Sequence, residues 1–234
     1  MNVGILKRSF RNLRWFEWAM FAVMILIGGF YMITDQTHPM WYLAANYISS
    51  IAGVCCIFLC AHASWPNWLF AVVNTVLYIV VLMYNHVYGT MALELLYYMP
   101  TNVLRLVLWR KHADQVEEDK CRTQVMGWPG RIGMLAVVLA SATVYHAILV
   151  RIGGATAWLE ALVVAIGIIA KYLEIKRFAD QYYLWIITDV IAVIQWVILG
   201  DGIMITKKSI YLIMAVIGLY NWIRLNRERN AANL

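Results

Sequence analysis

Long apolar runs, separated by short clusters of basic residues, limit what this chain can fold into. Eight of them, at about 16–34, 42–62, 66–85, 87–109, 131–150, 155–176, 182–200 and 205–225, approach the ~20 residues with which an α-helix crosses a bilayer core of ~30 Å. Within lipid the backbone must satisfy its own hydrogen bonds, so such runs become helices and not open strands. The expected fold is all-α: a polytopic membrane protein with eight transmembrane helices. Composition agrees, because 63% of the 234 residues are hydrophobic, whereas soluble domains are ~45–50% apolar. Eleven Trp and fourteen Tyr suit the membrane–water boundary.

The basic residues predict the orientation. Lys7, Arg8, Arg11 and Arg14 precede the first run, Arg110, Lys111, Lys120, Arg122 and Arg131 fill the long loop, Lys176 and Arg177 follow the sixth run, and Arg224, Arg227 and Arg229 end the chain. With eight spans these all fall on one side, leaving mainly Arg151, Lys207 and Lys208 opposite, so both termini are expected in the cytoplasm. The opening "MNVGILKRSFRNLRWFEWAM" has the basic-then-apolar pattern of a secretory leader. With so many later spans to target the chain, it reads as an uncleaved first helix. The net charge of +6 lies in these anchors, and no basic, aromatic face remains to bind nucleic acid.

The segment "RKHADQVEEDKCRTQVMGWPGR" is the one long polar stretch, and a weak symmetry surrounds it. The third and fourth spans run from Trp68 to "LWR" at 108–110, and the seventh and eighth from Trp185 to "NWIR" at 221–224. Each pair begins with a Trp-led helix holding a central Asn or Asp and continues into a Tyr-containing helix. Allowing a small gap, this predicts an extra N-terminal helix (1–38), a three-helix repeat (40–109), a loop and linker helix (110–150), a second repeat (154–225) and a cytoplasmic tail (226–234). An odd linker helix makes the repeats parallel.

Polar groups inside apolar runs are candidates for function. Asp189 lies four residues after Trp185 and seven before Trp196, on one helical face. A carboxylate there costs about 2.5–3.5 kcal/mol on insertion scales, so it should face a partner or a cavity. In the fourth span Tyr98, Thr101, Asn102 and Arg105 follow Glu94 at offsets of 4, 7, 8 and 11, a polar stripe beside the helix-loosening Pro100. Asn74 and Tyr78, a turn apart with Phe70 a turn before, form an amide–phenol pair suited to hydroxyls or a carboxamide, although Asn also serves as interhelical glue. Glu160 and Lys171 share a face of the sixth span, and Lys171 has two possible partners, Glu174 on the next turn or Glu94 across the bundle.

Other chemistries find no support. Cys55, Cys56 and Cys60 sit in one apolar run and Cys121 alone in a loop, without disulfide or metal spacing. His38, His62, His86, His112 and His146 show no paired spacing and read as interfacial or loop residues. No phosphate-binding glycine loop is present, so nucleotide-driven pumping by this chain is not expected. Neither a cofactor nor a metal is expected. Glu94, His86 or His146 acting on a lipid would be the enzyme alternative, but no nucleophile–base pair supports it. A non-transporting sensor is a further alternative.

The stretch "WLFAVVNTVLYIVVLMYNHVYGTMALELLY" at 68–97 resembles the signature region of the PnuC family of vitamin transporters, with Trp68, Asn74, Tyr78, Tyr88, Gly89 and Tyr97 at that family's spacing. "LEALVVAIGIIAKYLEIKRFADQYYLWIITD", which includes Tyr182, resembles it as well, and the resemblance covers about 40–225. It implies parallel three-helix halves similar to the SWEET sugar transporters. It also implies uptake of nicotinamide riboside, or of thiamine or riboflavin, by facilitated diffusion, with a cytoplasmic kinase trapping the product. A homotrimer is the assembly it suggests. The expected substrate set is Trp68, Asn74, Tyr78, Glu94 and Tyr98, with Asn102, Lys171, Tyr182, Trp185 and Asp189. A cationic ring between aromatic faces gains ~2 kcal/mol when desolvated, with Asp189 or Glu94 as counter-charge. Glu94 and Lys171 stand where the family has Gln, Thr90 where an acidic residue is usual, and Lys207 and Lys208 in a commonly apolar stretch. A Glu94–Lys171 ion pair would leave the charge of the cavity unchanged.

Overall fold

The computed structural model describes residues 3–111, 122–152 and 157–232, with side chains over 6–87, 89–111, 122–147 and 161–229. The helices are α1 (Val3–Arg11), α2 (Trp15–Thr34), α3 (Met40–Ala61), α4 (Asn67–Tyr84), α5 (Tyr88–Leu93), α6 (Met99–Lys111), α7 (Trp128–Ile152), α8 (Ala157–Ile175), α9 (Gln181–Leu199) and α10 (Gly202–Ala232). A π-helical turn, Glu94–Tyr98, joins α5 to α6. Among the described residues six helices (α2, α3, α4, α7, α9 and α10) are long and apolar enough to cross a membrane. No strand forms among the described residues beyond a single bridge between Gln124 and Phe178.

Three features depart from the expected layout. Helix α1 precedes the first apolar run, and its nine residues carry Lys7, Arg8 and Arg11, too short and too charged to register as a span. It docks through Phe10, edge-on to Phe70 at 5.6 Å, and through Ser9, which accepts from the Ser64 hydroxyl at 2.8 Å. Helix α10 continues to Ala232, through most of the stretch expected to be a tail. Good helix formers and an Arg224–Glu228 pair one turn apart, at 3.1 Å, extend it. The fourth run is interrupted by the π turn, closed by the Met99 N–H donating to the Glu94 carbonyl. Pro100 next to it offers no N–H, and widening the preceding turn accommodates its ring.

The ends of α3 and α8 share one geometry. Ser64 N–H bonds to Leu59 O at 2.8 Å and Phe178 N–H to Leu173 O at 2.9 Å, around the left-handed residues Ala63 (φ 56) and Arg177 (φ 63). The ends of α4 and α9 share another: Val87 N–H bonds to Leu82 O at 2.9 Å and Asp201 N–H to Trp196 O at 3.3 Å, around His86 (φ 57) and Gly200 (φ 74). Such turns satisfy orphan carbonyls at helix ends. Every equivalent pair is separated by 114 positions. After the π turn the separation becomes 113, so one residue absorbed there accounts for the gap in the sequence symmetry. This register sets Tyr182, not Trp185, opposite Trp68, and Thr75, not Asn74, opposite Asp189, correcting the pairing read from the Trp-led helices.

Helix α3 packs on α10, and α6 on α8. At each crossing a glycine leaves room for a phenol: Gly53 faces the Tyr211 hydroxyl and Gly167 the Tyr98 hydroxyl. At the end of the bundle where α3 and α8 finish, called here the tail face, Trp222 Nε1–H donates to Cys60 O at 2.8 Å and Trp109 Nε1–H to Glu174 O at 3.0 Å, with the two indoles 5.5 Å apart. Buried Glu17 at the start of α2 meets His62 at 2.9 Å on the same face. The segment entering α7 is pinned there by Asp180, which accepts from Met126 N–H and Arg131 Nε, both at 2.7 Å. At the opposite face Asp201 accepts from Tyr42 at 2.6 Å and from Asn46 at 2.7 Å. Asp35 pairs with His38 there at 2.8 Å. The Thr37 hydroxyl, followed by His38, holds Asp35 well below the usual carboxylate range.

Candidate functional site

Where α3, α4, α6, α8, α9 and α10 converge, a cavity of about 120 Å³ lies inside the bundle. At 1.5 Å per residue, Asn74 and Asp189 on its wall sit roughly 10–15 Å from either end of their helices, near mid-span. Ionisable groups at that depth mark ligand pathways more often than structural pairs. Asn74, Glu94, Tyr98, Asn102, Lys171, Tyr182, Trp185 and Asp189 all line the cavity, so the structure brings most of the expected set together.

Two expected residues stand elsewhere. Tyr78 flanks the wall, its ring centroid 4.4 Å from Lys207 Nζ and 5.6 Å from Lys208 Nζ. Trp68 packs against the cluster of Trp65, Trp109 and Trp222, with its indole N–H buried and unpartnered. The wall is reached from Ala71, a turn further along α4. Trp196, on the stripe of Asp189, packs against Tyr78 at 6.4 Å. Thr101 turns away and donates to Tyr97 O at 2.7 Å, and Phe70 meets Phe10. The side chain of Glu160 lies outside the described residues, as do His112 and Cys121.

Most of the charges on the wall are paired. Arg105 forms an ion pair with Glu174, which also receives Lys171 at 3.3 Å. Of the two partners open to Lys171, the structure takes Glu174 and not Glu94, because a partner three residues along the same helix is closer than one across the bundle. Lys208 Nζ stands 4.0 Å from Asp189 Oδ1, so the counter-charge expected of Asp189 for a ligand already faces a lysine. Glu94 forms no ion pair among the described residues. It accepts from Thr75 Oγ1 at 3.0 Å, and Asn102 Nδ2 donates to the same hydroxyl at 3.3 Å. The Asn102 Oδ1 atom is buried without a donor. Behind the wall, Lys207 is 1% exposed and donates to Asn74 Oδ1 at 2.8 Å and Ser49 Oγ at 3.1 Å. Those bonds and the Tyr78 face offset a burial that would cost an unpaired ion several kcal/mol.

The aromatic wall is built by Trp185 and Tyr98, edge to face at 6.2 Å and 72°. Trp185 Nε1 donates back to Gln181 Oε1 at 3.3 Å, which directs the indole. Tyr182 is fully buried and meets Trp222 edge-on at 5.5 Å, closing the cavity towards the tail face. Sequence reasoning omitted Gly53, Cys56, Cys60, Thr75, Arg105, Glu174, Lys208 and Tyr211 from the site, although all line it. Arg105 was readable as the last member of the Glu94 stripe, and Tyr211 as the counterpart of Tyr98 once the π turn is allowed for. Gly53 and Cys56 carried no signal in an apolar run.

The profile of the nicotinamide mononucleotide transporter family matches residues 43–224, well over half of the chain. The chain belongs to this family, the PnuC family. Among curated proteins it is similar to the nicotinamide riboside transporter PnuC of Neisseria mucosa, 24% identical over 216 residues covering 88% of this chain and 81% of that protein. The Haemophilus influenzae protein of the same name is 25% identical over 199 residues, covering 83% and 84%. A crystal structure of the vitamin B3 transporter PnuC superposes with a TM-score of 0.84 at 22% identity, covering 97% of this chain and 99% of that one. That likeness establishes a shared fold. The 68–97 stretch that resembles the PnuC signature lies inside the matched segment and supplies α4, α5 and most of the π turn beside the cavity.

Proposed function

We propose that this chain carries nicotinamide riboside across a bacterial cytoplasmic membrane by facilitated diffusion and is not an enzyme. The observation that carries the reading is the mid-span cavity, where an aromatic corner, Trp185 and Tyr98, faces Glu94, a carboxylate with no ion pair among the described residues. A pyridinium ring stacked in that corner gains ~2 kcal/mol when desolvated, and Glu94 offsets its charge. Asn74, Asn102 and Tyr182 hold the ribose hydroxyls or the amide, and Lys171 acts through its pair with Glu174. The similar proteins named as nicotinamide riboside transporters support this choice of cargo.

On this reading the chain crosses the membrane eight times, α5 and α6 together forming one span and α8 another. Both termini are cytoplasmic, as the basic residues argue. Residues 40–109 and 154–225 form parallel three-helix halves of the SWEET type, joined by α7. Support comes from the 114-residue register of the two kinds of turn and from the paired Gly–Tyr and Trp–carbonyl contacts. A cavity of about 120 Å³ is smaller than the ~300–1,000 Å³ of typical small-molecule sites, so the halves must part to admit a nucleoside. Release occurs at the tail face when Trp109 and Trp222 separate, and a cytoplasmic kinase then prevents return by phosphorylating the product. A homotrimer is the proposed assembly.

Calorimetric titration of the purified protein with nicotinamide riboside, thiamine and riboflavin tests the cargo. Binding of the riboside with clear preference is expected. Preference for thiamine or riboflavin would contradict the assignment, and silence with all three would contradict the carrier reading.

A further inference from the structure

The chemistry of the wall formed by α4 and α10 asks for an anion. Lys207 is a pure donor, so the Asn74 carboxamide must turn its oxygen towards that ammonium, as the 2.8 Å contact records. Its Nδ2 is then left as a donor at the lining of the cavity. Lys208, also on the lining, has Asp189 at 4.0 Å, beyond hydrogen-bond length, so its ammonium protons are not fixed on that carboxylate. On the lining Arg105, Lys171 and Lys208 balance Glu94, Glu174 and Asp189, and Lys207 stands just behind it. Asp201, the residue before α10, is engaged by Tyr42, Asn46 and the Met204 N–H.

We infer that the site takes a second cargo, a zwitterionic pyridinium riboside whose ring bears a carboxylate in place of the carboxamide. The inference rests on the reading above that a pyridinium riboside occupies this cavity. A carboxylate accepts from both Asn74 Nδ2 and Lys208 Nζ, whereas a carboxamide presents its own NH₂ to the same donors and leaves one bond unmade, a mismatch that buried sites penalise. The two groups are nearly the same size, so the cavity need not grow. Glu94, held in the same cavity by Thr75 of α4, offsets the ring cation of either cargo.

The test is calorimetric titration of the full-length protein with nicotinic acid riboside and nicotinamide riboside, with nicotinamide mononucleotide as a third ligand. The acid is expected to bind within threefold of the amide or more tightly. Lys208→Met is expected to weaken the acid at least tenfold more than the amide, and Lys208→Arg to restore the ratio. The inference is overturned by an acid more than threefold weaker than the amide in the unaltered protein, a comparison that stands even if a variant fails to fold. Equal weakening of both ligands by Lys208→Met overturns it as well. Mononucleotide binding more tightly than the acid would assign the anion seat to a phosphate instead. Amide binding without acid binding defeats this inference alone, whereas silence with both ribosides defeats the carrier reading beneath it.

Discussion

Residues 53–109 and 167–222 share a skeleton and differ in charge. Both use the same left-handed turns, both set a glycine against a tyrosine hydroxyl, and both send an indole N–H to the carbonyl at the end of the other segment's helix. At the cavity, equivalent positions hold unlike groups: Ile57 and Lys171, Cys60 and Glu174, Thr75 and Asp189, Glu94 and Lys208. Backbone polar groups must be satisfied in lipid wherever they occur, so the features that satisfy them recur. On the proposed reading a ligand held between the segments needs two different walls, so the side chains facing it do not recur.

Several substitutions would break or sharpen this comparison. The largest effect is expected at Glu174, the carboxylate shared by Arg105 and Lys171. Glu174→Gln should destabilise the fold by about 3–5 kcal/mol, the cost of stranding buried charge, whereas Cys60→Ala at the equivalent position should cost no more than ~2 kcal/mol. Thermal unfolding in detergent separates the two, and equal losses would contradict the asymmetry. Next come Gly53→Leu and Gly167→Leu, each driving a side chain into a tyrosine. A cost of about 1–3 kcal/mol is expected for each, and uptake assays should show losses within threefold of one another; a tenfold disparity would deny that the crossings are equivalent. Trp109→Phe and Trp222→Phe each remove one indole hydrogen bond while Arg177 N–H and Ala63 N–H still reach the two carbonyls, at about 0.5–1.5 kcal/mol, and chemical denaturation should place their midpoints together.

The smallest effect lies outside both segments, at the half-buried Asp35–His38 pair. Because the carboxyl of Asp35 is held below its ordinary range, its contribution exists above the unfolded value of ~3.9 and fades as pH falls towards its folded value. Asp35→Asn should therefore cost under ~1 kcal/mol at neutral pH. The gap between variant and parent should narrow only below about pH 4. A gap unchanged between about pH 4 and pH 2 would contradict the assignment to Asp35.

Much of this organisation was legible in the sequence because lipid makes it so. The ends of α2, α3, α4 and α9 fall within two residues of the apolar runs, since a span must match the bilayer and polar residues stop it. The Glu94 stripe was readable because carboxylates are costly in apolar runs, and it led directly to the cavity. Helix α1 was missed because interfacial helices mix charge with apolar residues, and α10 extended further because charged residues do not end a helix that has left the membrane. The pairing of Lys208 with Asp189 was out of reach, since the helix-period pattern reports which face a residue occupies and not what lies opposite. The π turn misled the alignment for a similar reason: one residue absorbed between Glu94 and Tyr98 changes the register without changing hydropathy.

The central claim is that two parallel segments open and close around one site and let a vitamin equilibrate. Its most direct test is the flux of labelled nicotinamide riboside into liposomes containing only this protein, without ATP or an ion gradient. The account predicts saturable entry that stops when the internal concentration equals the external one, and faster exchange when unlabelled riboside is preloaded. Tight binding with no flux, or accumulation above the external concentration, would contradict it.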